Sequence, residues 1–185
     1  MHYQYAGALL VAVSLAACGG QPRGPGGAKL DEPAAEASLV DSSGARVGVA
    51  TFSGTDGGAQ MSISVTGLAP GRHGLHVHEI GACTPPGFES AGGHFNPDGR
   101  KHGTLNPDGP HAGDLPNLVV EADGSADTTL TVPGSLLVEG PGSMVGEQKR
   151  ALVIHADPDD EKTDPSGNSG DRIACAVLGG AEGGN

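Results

Sequence analysis

The chain has 185 residues, enough for one domain with a sizeable core, and 10 basic against 22 acidic side chains give a formal charge of −12. That balance excludes a nucleic-acid-binding role, which needs a basic patch. Glycine (33) and proline (14) are abundant and aromatics make up only 3%, so short strands joined by many turns are expected, an all-β fold.

The first element is an apolar run, AGALLVAVSLAA, at Ala6–Ala17. It is too short to span a bilayer and has the length of a signal-peptide core. It ends in LAAC, similar to the bacterial lipoprotein box, so residues 1–17 are expected to be removed and Cys18 to be lipidated. Residues 18–36 lack apolar periodicity and are rich in Gly and Pro, which reads as a flexible tether. The protein is therefore expected to be exported to the periplasm or cell surface and to touch a membrane only through a lipid anchor. Residues 37–185 are left as the folded domain.

Strand-like alternation follows in ARVGVATFS (Ala45–Ser53) and AQMSISVTG (Ala59–Gly67). It continues in LVVEADG (Leu118–Gly124), ADTTLTV (Ala126–Val132), ALVIHA (Ala151–Ala156) and IACAVLG (Ile173–Gly179). Turn formers punctuate them: GTDGG, APGRHG, ADGSA and VPG. The stretch GLHVHE sets His76 and His78 two apart; in a strand both rings stand on one face, with Val77 on the other. Two regions are long and irregular, Ile80 to Pro116 and Asp157 to Asp171, and loops of that length in a compact domain are usually functional. The acidic run DPDDEKTD does not fit an EF-hand, because Lys162 and Asn168 fall where that loop needs Gly and Glu.

Three cysteines are present. With Cys18 assigned to the lipid, Cys83 and Cys175 remain as an even pair in an exported protein, where a disulfide is the expected state. The other histidines lie in or beside the long loops: His94 in SAGGHFNPDG, His102 in RKHGT, His111 with Asp114 in PHAGDLP, and His155 closing ALVIH. Imidazole suits copper and zinc, and neutral nitrogens with one carboxylate suit tetrahedral zinc. The histidines in concert point to a metal centre.

Six segments, GLHVHE, SAGGHFNP, RKHG, PHAGDLPN, VIHADPDD and GNSGDRIACAVLG, resemble the copper,zinc superoxide dismutases in order and spacing from Ala37 to Gly179. The position of Cys83 and the GDLPN segment are similar to the bacterial branch. The resemblance implies an eight-stranded Greek-key β-barrel flattened into a sandwich, with two long functional loops. It implies copper on His76, His78, His94 and His155, and zinc on His94, His102, His111 and Asp114, with His94 bridging. His73 is implied as a structural hydrogen-bonder beneath the copper ligands, and Asp159 as the carboxylate that links a copper histidine to a zinc histidine. Arg172 is implied as the docking group for the anionic substrate, superoxide, and His94 as the group that takes up and returns a proton.

The chain departs from the family at Pro165, where animal relatives carry a steering lysine; Lys162 is the candidate substitute. The activity implied is disproportionation of superoxide to dioxygen and hydrogen peroxide. The alternative is a non-enzymatic copper/zinc-binding protein on the same fold. Monomer and homodimer both remain open.

Overall fold

The computed structural model describes residues 35–55, 58–132, 143 and 149–179. The expected signal peptide, Cys18 and nearly all of the tether lie outside the described residues. Eight strands follow in chain order: β1 (Ala35–Asp41), β2 (Arg46–Thr55), β3 (Gly58–Val65) and β4 (Gly71–His78), then β5 (Asp114–Val120), β6 (Ala126–Val132), β7 (Arg150–His155) and β8 (Arg172–Leu178). They hydrogen-bond in the order β5-β4-β7-β8-β1-β2-β3-β6, antiparallel at every pairing. The two strands at the ends of that order, β5 and β6, are joined by a tight turn in which Glu121 N–H donates to Ser125 O at 2.7 Å. The architecture is the expected all-β, nearly closed barrel. One 3-10 turn at Glu89–Ala91 is the only helical element among the described residues, and no helix there is long and apolar enough to cross a membrane.

Alternation along the strands sorts side chains between two apolar clusters. Leu152 and Ile154 of β7 enter the main core with Phe52, Ile63, Leu75 and Val77. Ala151 and Val153, on the opposite face of β7, pack in a second cluster with Phe88, Ala91 and Cys175. A strand buried on both faces reads as a continuous apolar run, which is how ALVIH appears in the sequence. Each fully buried aliphatic or aromatic side chain contributes about 1.5–3 kcal/mol.

Two elements differ from the sequence expectation. The sequence pattern predicts no strand at β1, yet Ala37 and Leu39 alternate inward at 4% and 0% exposure, and Ala35 and Glu36 belong to the sheet and not to the tether. The strand expected at Leu118–Gly124 instead begins at Asp114 and ends at Val120, and residues 121–124 form the turn. Pro116 interrupts the reading. It lies in a terminal strand of the sheet, where the β4–β5 register shifts between His73 and Leu75, so its missing N–H leaves no gap in a central ladder.

Candidate metal centre

β4 supplies the first two imidazoles. Leu75 and Val77 face the core at 0% exposure, which turns His76 and His78 to the other face, where the long loop 79–113 covers them. That loop is stitched to β4: Phe95 N–H donates to Val77 O at 2.8 Å, Val77 N–H to Gly113 O at 2.8 Å, and Gly113 N–H to Phe95 O at 2.9 Å. His94, beside Phe95, forms an isolated antiparallel bridge with His78, and β7 ends by delivering His155 opposite Arg172.

His94 lies between two groups of rings. Its centroid is 4.0 Å from His76 and 5.0 Å from His78 on one side, and 5.2 Å from His102 and 5.5 Å from His111 on the other. The first group is defined by what its nitrogens lack. His76 Nδ1, His78 Nε2, His94 Nε2 and His155 Nε2 are all buried without a hydrogen-bond partner. The opposite nitrogen of each ring is held: His76 Nε2 by Asp159 Oδ2 at 2.8 Å, His78 Nδ1 by Gly92 O at 2.9 Å, His94 Nδ1 by Asp114 Oδ1 at 2.9 Å and His155 Nδ1 by Gly170 O at 3.1 Å. Orphaned polar atoms in a core are costly, and four gathered together, with ligand atoms within 4.8 Å of one another, fit a metal ion. Burial pushes His78 down to about 2, His155 to about 3 and His94 to about 4, so the three rings stay neutral and keep lone pairs for a metal.

The second group converges on one oxygen. Asp114 Oδ1 lies 2.9 Å from His94 Nδ1, 3.0 Å from His102 Nδ1 and 3.2 Å from His111 Nδ1. Its Oδ2 is turned away and accepts the N–H groups of Gly103 (2.8 Å) and His111 (2.9 Å). Three nitrogens and one carboxylate oxygen suit tetrahedral zinc. His76 also comes within 4.8 Å of His94, His102 and Asp114, but its Nε2 is engaged by Asp159 and its Nδ1 belongs with the first group, so His111 completes the second.

Burial opposes ionisation of both His102 and Asp114. Hydrogen bonds outweigh it, with Asp114 and Asp159 raising His102 to about 9 and His102 and His94 holding Asp114 below the usual carboxylate range. Asp159 ties the groups together: its second oxygen accepts from His102 Nε2 at 2.9 Å. Gly167, at φ +63°, lies so close that a Cβ there would collide with Asp159 Oδ1 and His102 Nε2.

Arg172 stands beside the first group, sharing the Gly92 carbonyl with His78. Nη1 donates to Phe88 O and Nη2 to Gly92 O, both at 2.7 Å, and Gly92 O is also the acceptor for His78 Nδ1. The guanidinium lines a cleft of about 530 Å³ with Ser42, Gly87, Glu89 and Asp171. Phe88 sits at φ +57° with its ring fully buried. That conformation costs about 1–2 kcal/mol, offset by the burial, and it aims the Phe88 carbonyl at Arg172. The segment is anchored by the expected disulfide, Cys83–Cys175, with Cα atoms 5.7 Å apart. His73 bonds His155 O at 2.7 Å and Ala69 O at 2.8 Å, beneath the first group as expected. Lys162 lies toward the loop that carries His102 and His111, its carbonyl accepting from Asn106 Nδ2 at 3.4 Å. Neither Gly92 nor Asn117 is marked in the sequence pattern: Gly92 acts through its backbone carbonyl, and Asn117 through a side-chain contact with a residue 42 positions away.

An antiparallel barrel with two abutting donor sets, one all-imidazole and one imidazole–carboxylate, that share a histidine defines a binuclear metalloprotein. The family model described as copper/zinc superoxide dismutase (SODC) matches residues 46–178. Copper-zinc superoxide dismutase 2 of Aquifex aeolicus is 45% identical over 146 residues, 78% of this chain and 85% of that one. The copper-zinc superoxide dismutase of Deinococcus radiodurans is 41% identical, with 92% of each chain covered. The crystal structure of a double mutant of a superoxide-dismutase-like protein from Bacillus subtilis has a TM-score of 0.75 at 46% identity, covering 78% of this chain and 97% of that one. The chain belongs to the copper/zinc superoxide dismutase family. Its activity is disproportionation of superoxide, with copper and zinc as cofactors.

Proposed function

We propose that copper is held by His76 Nδ1, His78 Nε2, His94 Nε2 and His155 Nε2, and zinc by the Nδ1 atoms of His94, His102 and His111 with Asp114 Oδ1. The observation that carries this reading is the set of four buried ring nitrogens without partners beside three others converging on one carboxylate oxygen. Copper supplies one-electron redox chemistry when bound, which zinc cannot. The chain's own residues do the rest. Arg172 receives superoxide: a guanidinium has five N–H donors, and two are committed to Phe88 O and Gly92 O, which fixes its orientation. His94 would offer Nδ1 to the zinc set and Nε2 to the copper set, and its Nε2, buried without a hydrogen-bond partner, would be the ring atom able to hold a proton when it is not engaged as a ligand. Asp159 fixes the rings of His76 and His102 by accepting from their Nε2 atoms.

The same reading extends to location. A signal peptide at residues 1–17, lipidation at Cys18 and a tether from there to β1, which begins at Ala35, would carry the enzyme out of the cytoplasm on a lipid anchor, in the periplasm or on the cell surface. The Cys83–Cys175 disulfide supports an oxidising compartment. Two measurements on the full chain test the proposal. Metal analysis should find one copper and one zinc per chain, and His78→Ala should lose copper with its activity while keeping zinc. Cys18→Ser should shift the protein from the detergent phase to the aqueous phase; equal partitioning of mutant and wild type refutes the anchor.

A further inference from the structure

Asn117 takes no part in the ligand assignment, yet its side chain is spent on one residue. Nδ2 donates to Asp159 O at 2.9 Å, and Oδ1 accepts the Asp159 N–H at 2.7 Å. A planar amide closed on both polar groups of one residue's backbone fixes its position and its direction, because each bond holds a different end. Asp159 lies in the loop between β7 and β8, where no strand ladder performs that service. It is 6% exposed, and its carboxylate oxygens reach His76 Nε2 at 2.8 Å and His102 Nε2 at 2.9 Å. Asn117 stands on β5, three residues after Asp114, whose Oδ1 receives the other nitrogen of His102 at 3.0 Å.

We propose that Asn117 is a positioning residue for both metals, acting through Asp159. By this device one strand determines both ends of the His102 ring. Asp114 meets Nδ1 directly, and Asn117 fixes the carboxylate that meets Nε2. Through the other oxygen of Asp159 the same hold reaches His76, in the copper set. Only the asparagine amide satisfies both bonds, since aspartate offers no donor to the Asp159 carbonyl and glutamine is one methylene too long for the same register.

The proposal rests on the ligand assignment above, and the experiment separates the two. Zinc affinity is measured by chelator competition in wild type, Asn117→Ala, Asp159→Asn and the double variant. Alongside it are read the thermal midpoint of the metal-free protein and the copper(II) electron paramagnetic resonance spectrum. Asn117→Ala should weaken zinc about 10–100-fold, the usual cost of losing a partner that orients a ligand, and alter the copper spectrum. The double variant should bind within about twofold of Asp159→Asn alone, because both changes act along one path. A purely structural asparagine would lower the midpoint and leave affinity and spectrum unmoved, which overturns the proposal. Full additivity of the two losses, or an Asp159→Asn affinity equal to wild type, overturns it too. If Asn117→Ala does not unfold cooperatively, Asn117→Asp keeps the volume and the acceptor but loses the donor; zinc affinity within twofold of wild type there is equally fatal. His102→Ala with unchanged zinc affinity would instead overturn the ligand assignment itself.

Discussion

Reducing the Cys83–Cys175 bond should remove a large fraction of the domain's stability. The bond closes a sequence separation of 92 residues. Chain entropy for a loop of that size amounts to about 4–5 kcal/mol at 25 °C, against total stabilities of about 5–15 kcal/mol for native proteins. For a domain of this size each kcal/mol shifts the midpoint by roughly 2–4 °C, so a fall of roughly 10–20 °C is expected. The assay compares urea unfolding of metal-stripped wild type, oxidised and reduced. A loss below about 1 kcal/mol would refute the loop-entropy argument. The effect should extend to the substrate side. The disulfide fastens loop 79–113 to β8, and that loop contributes the Phe88 and Gly92 carbonyls that orient Arg172 and His78. Reduced protein with full metal content should therefore remove superoxide more slowly; unchanged turnover would show that those carbonyls stay in place without the bond.

Asp114→Ala should reduce zinc affinity and stability while copper remains, the mirror of His78→Ala; metal analysis of the two variants checks the division. Arg172→Glu should lower the rate of superoxide removal by more than about tenfold at low salt, since it reverses the charge of the group proposed to dock the anion, a change of two units. Arg172→Lys should cost less, and metal content should hold in both. Added salt should hurt Arg172→Glu less than wild type, because screening relieves its repulsion; wild-type activity in Arg172→Glu would mean that the arginine is not the anion guide. In metal-free protein His102 is raised to about 9 from 6.5. Its contribution to stability is therefore fully present below pH 6.5 and lost as pH rises through about 9. Zinc must displace that proton, so zinc affinity should climb about tenfold per pH unit between 7 and 9. Calorimetry in two buffers at pH 7 should register about one proton released per zinc; none released would contradict the protonated ring.

Residues that bind through their own side chains were the legible part of this site. Histidine pairs and an aspartate three residues from a histidine carry their chemistry in the residue type, whereas the role of Arg172 is implied only by the family resemblance. Strands with clear alternation, such as β3 and β6, were legible for the same reason: one side chain in two meets the core. β1 escaped because only Ala37 and Leu39 mark its inward face, directly after a Gly/Pro-rich stretch. The start of β5 escaped because Pro116 reads as a breaker until the bulge opposite it is known. Gly92 acts through its carbonyl and Asn117 through contact with a residue 42 positions away, and neither the backbone nor so distant a pairing is written in local pattern.

His94 and Asp159 each touch both donor sets, and that sharing has a thermodynamic corollary. Filling one set orders rings that the other set needs, so the two occupancies are linked. If zinc tightens copper binding by some factor, copper must tighten zinc binding by the same factor, because the free energies around the four-state cycle close. A chain that acquires its metals in either order then arrives at the same final affinity. A change at Asp159 weakens the coupling as well as the separate affinities, leaving His94 as the remaining link between the two sets.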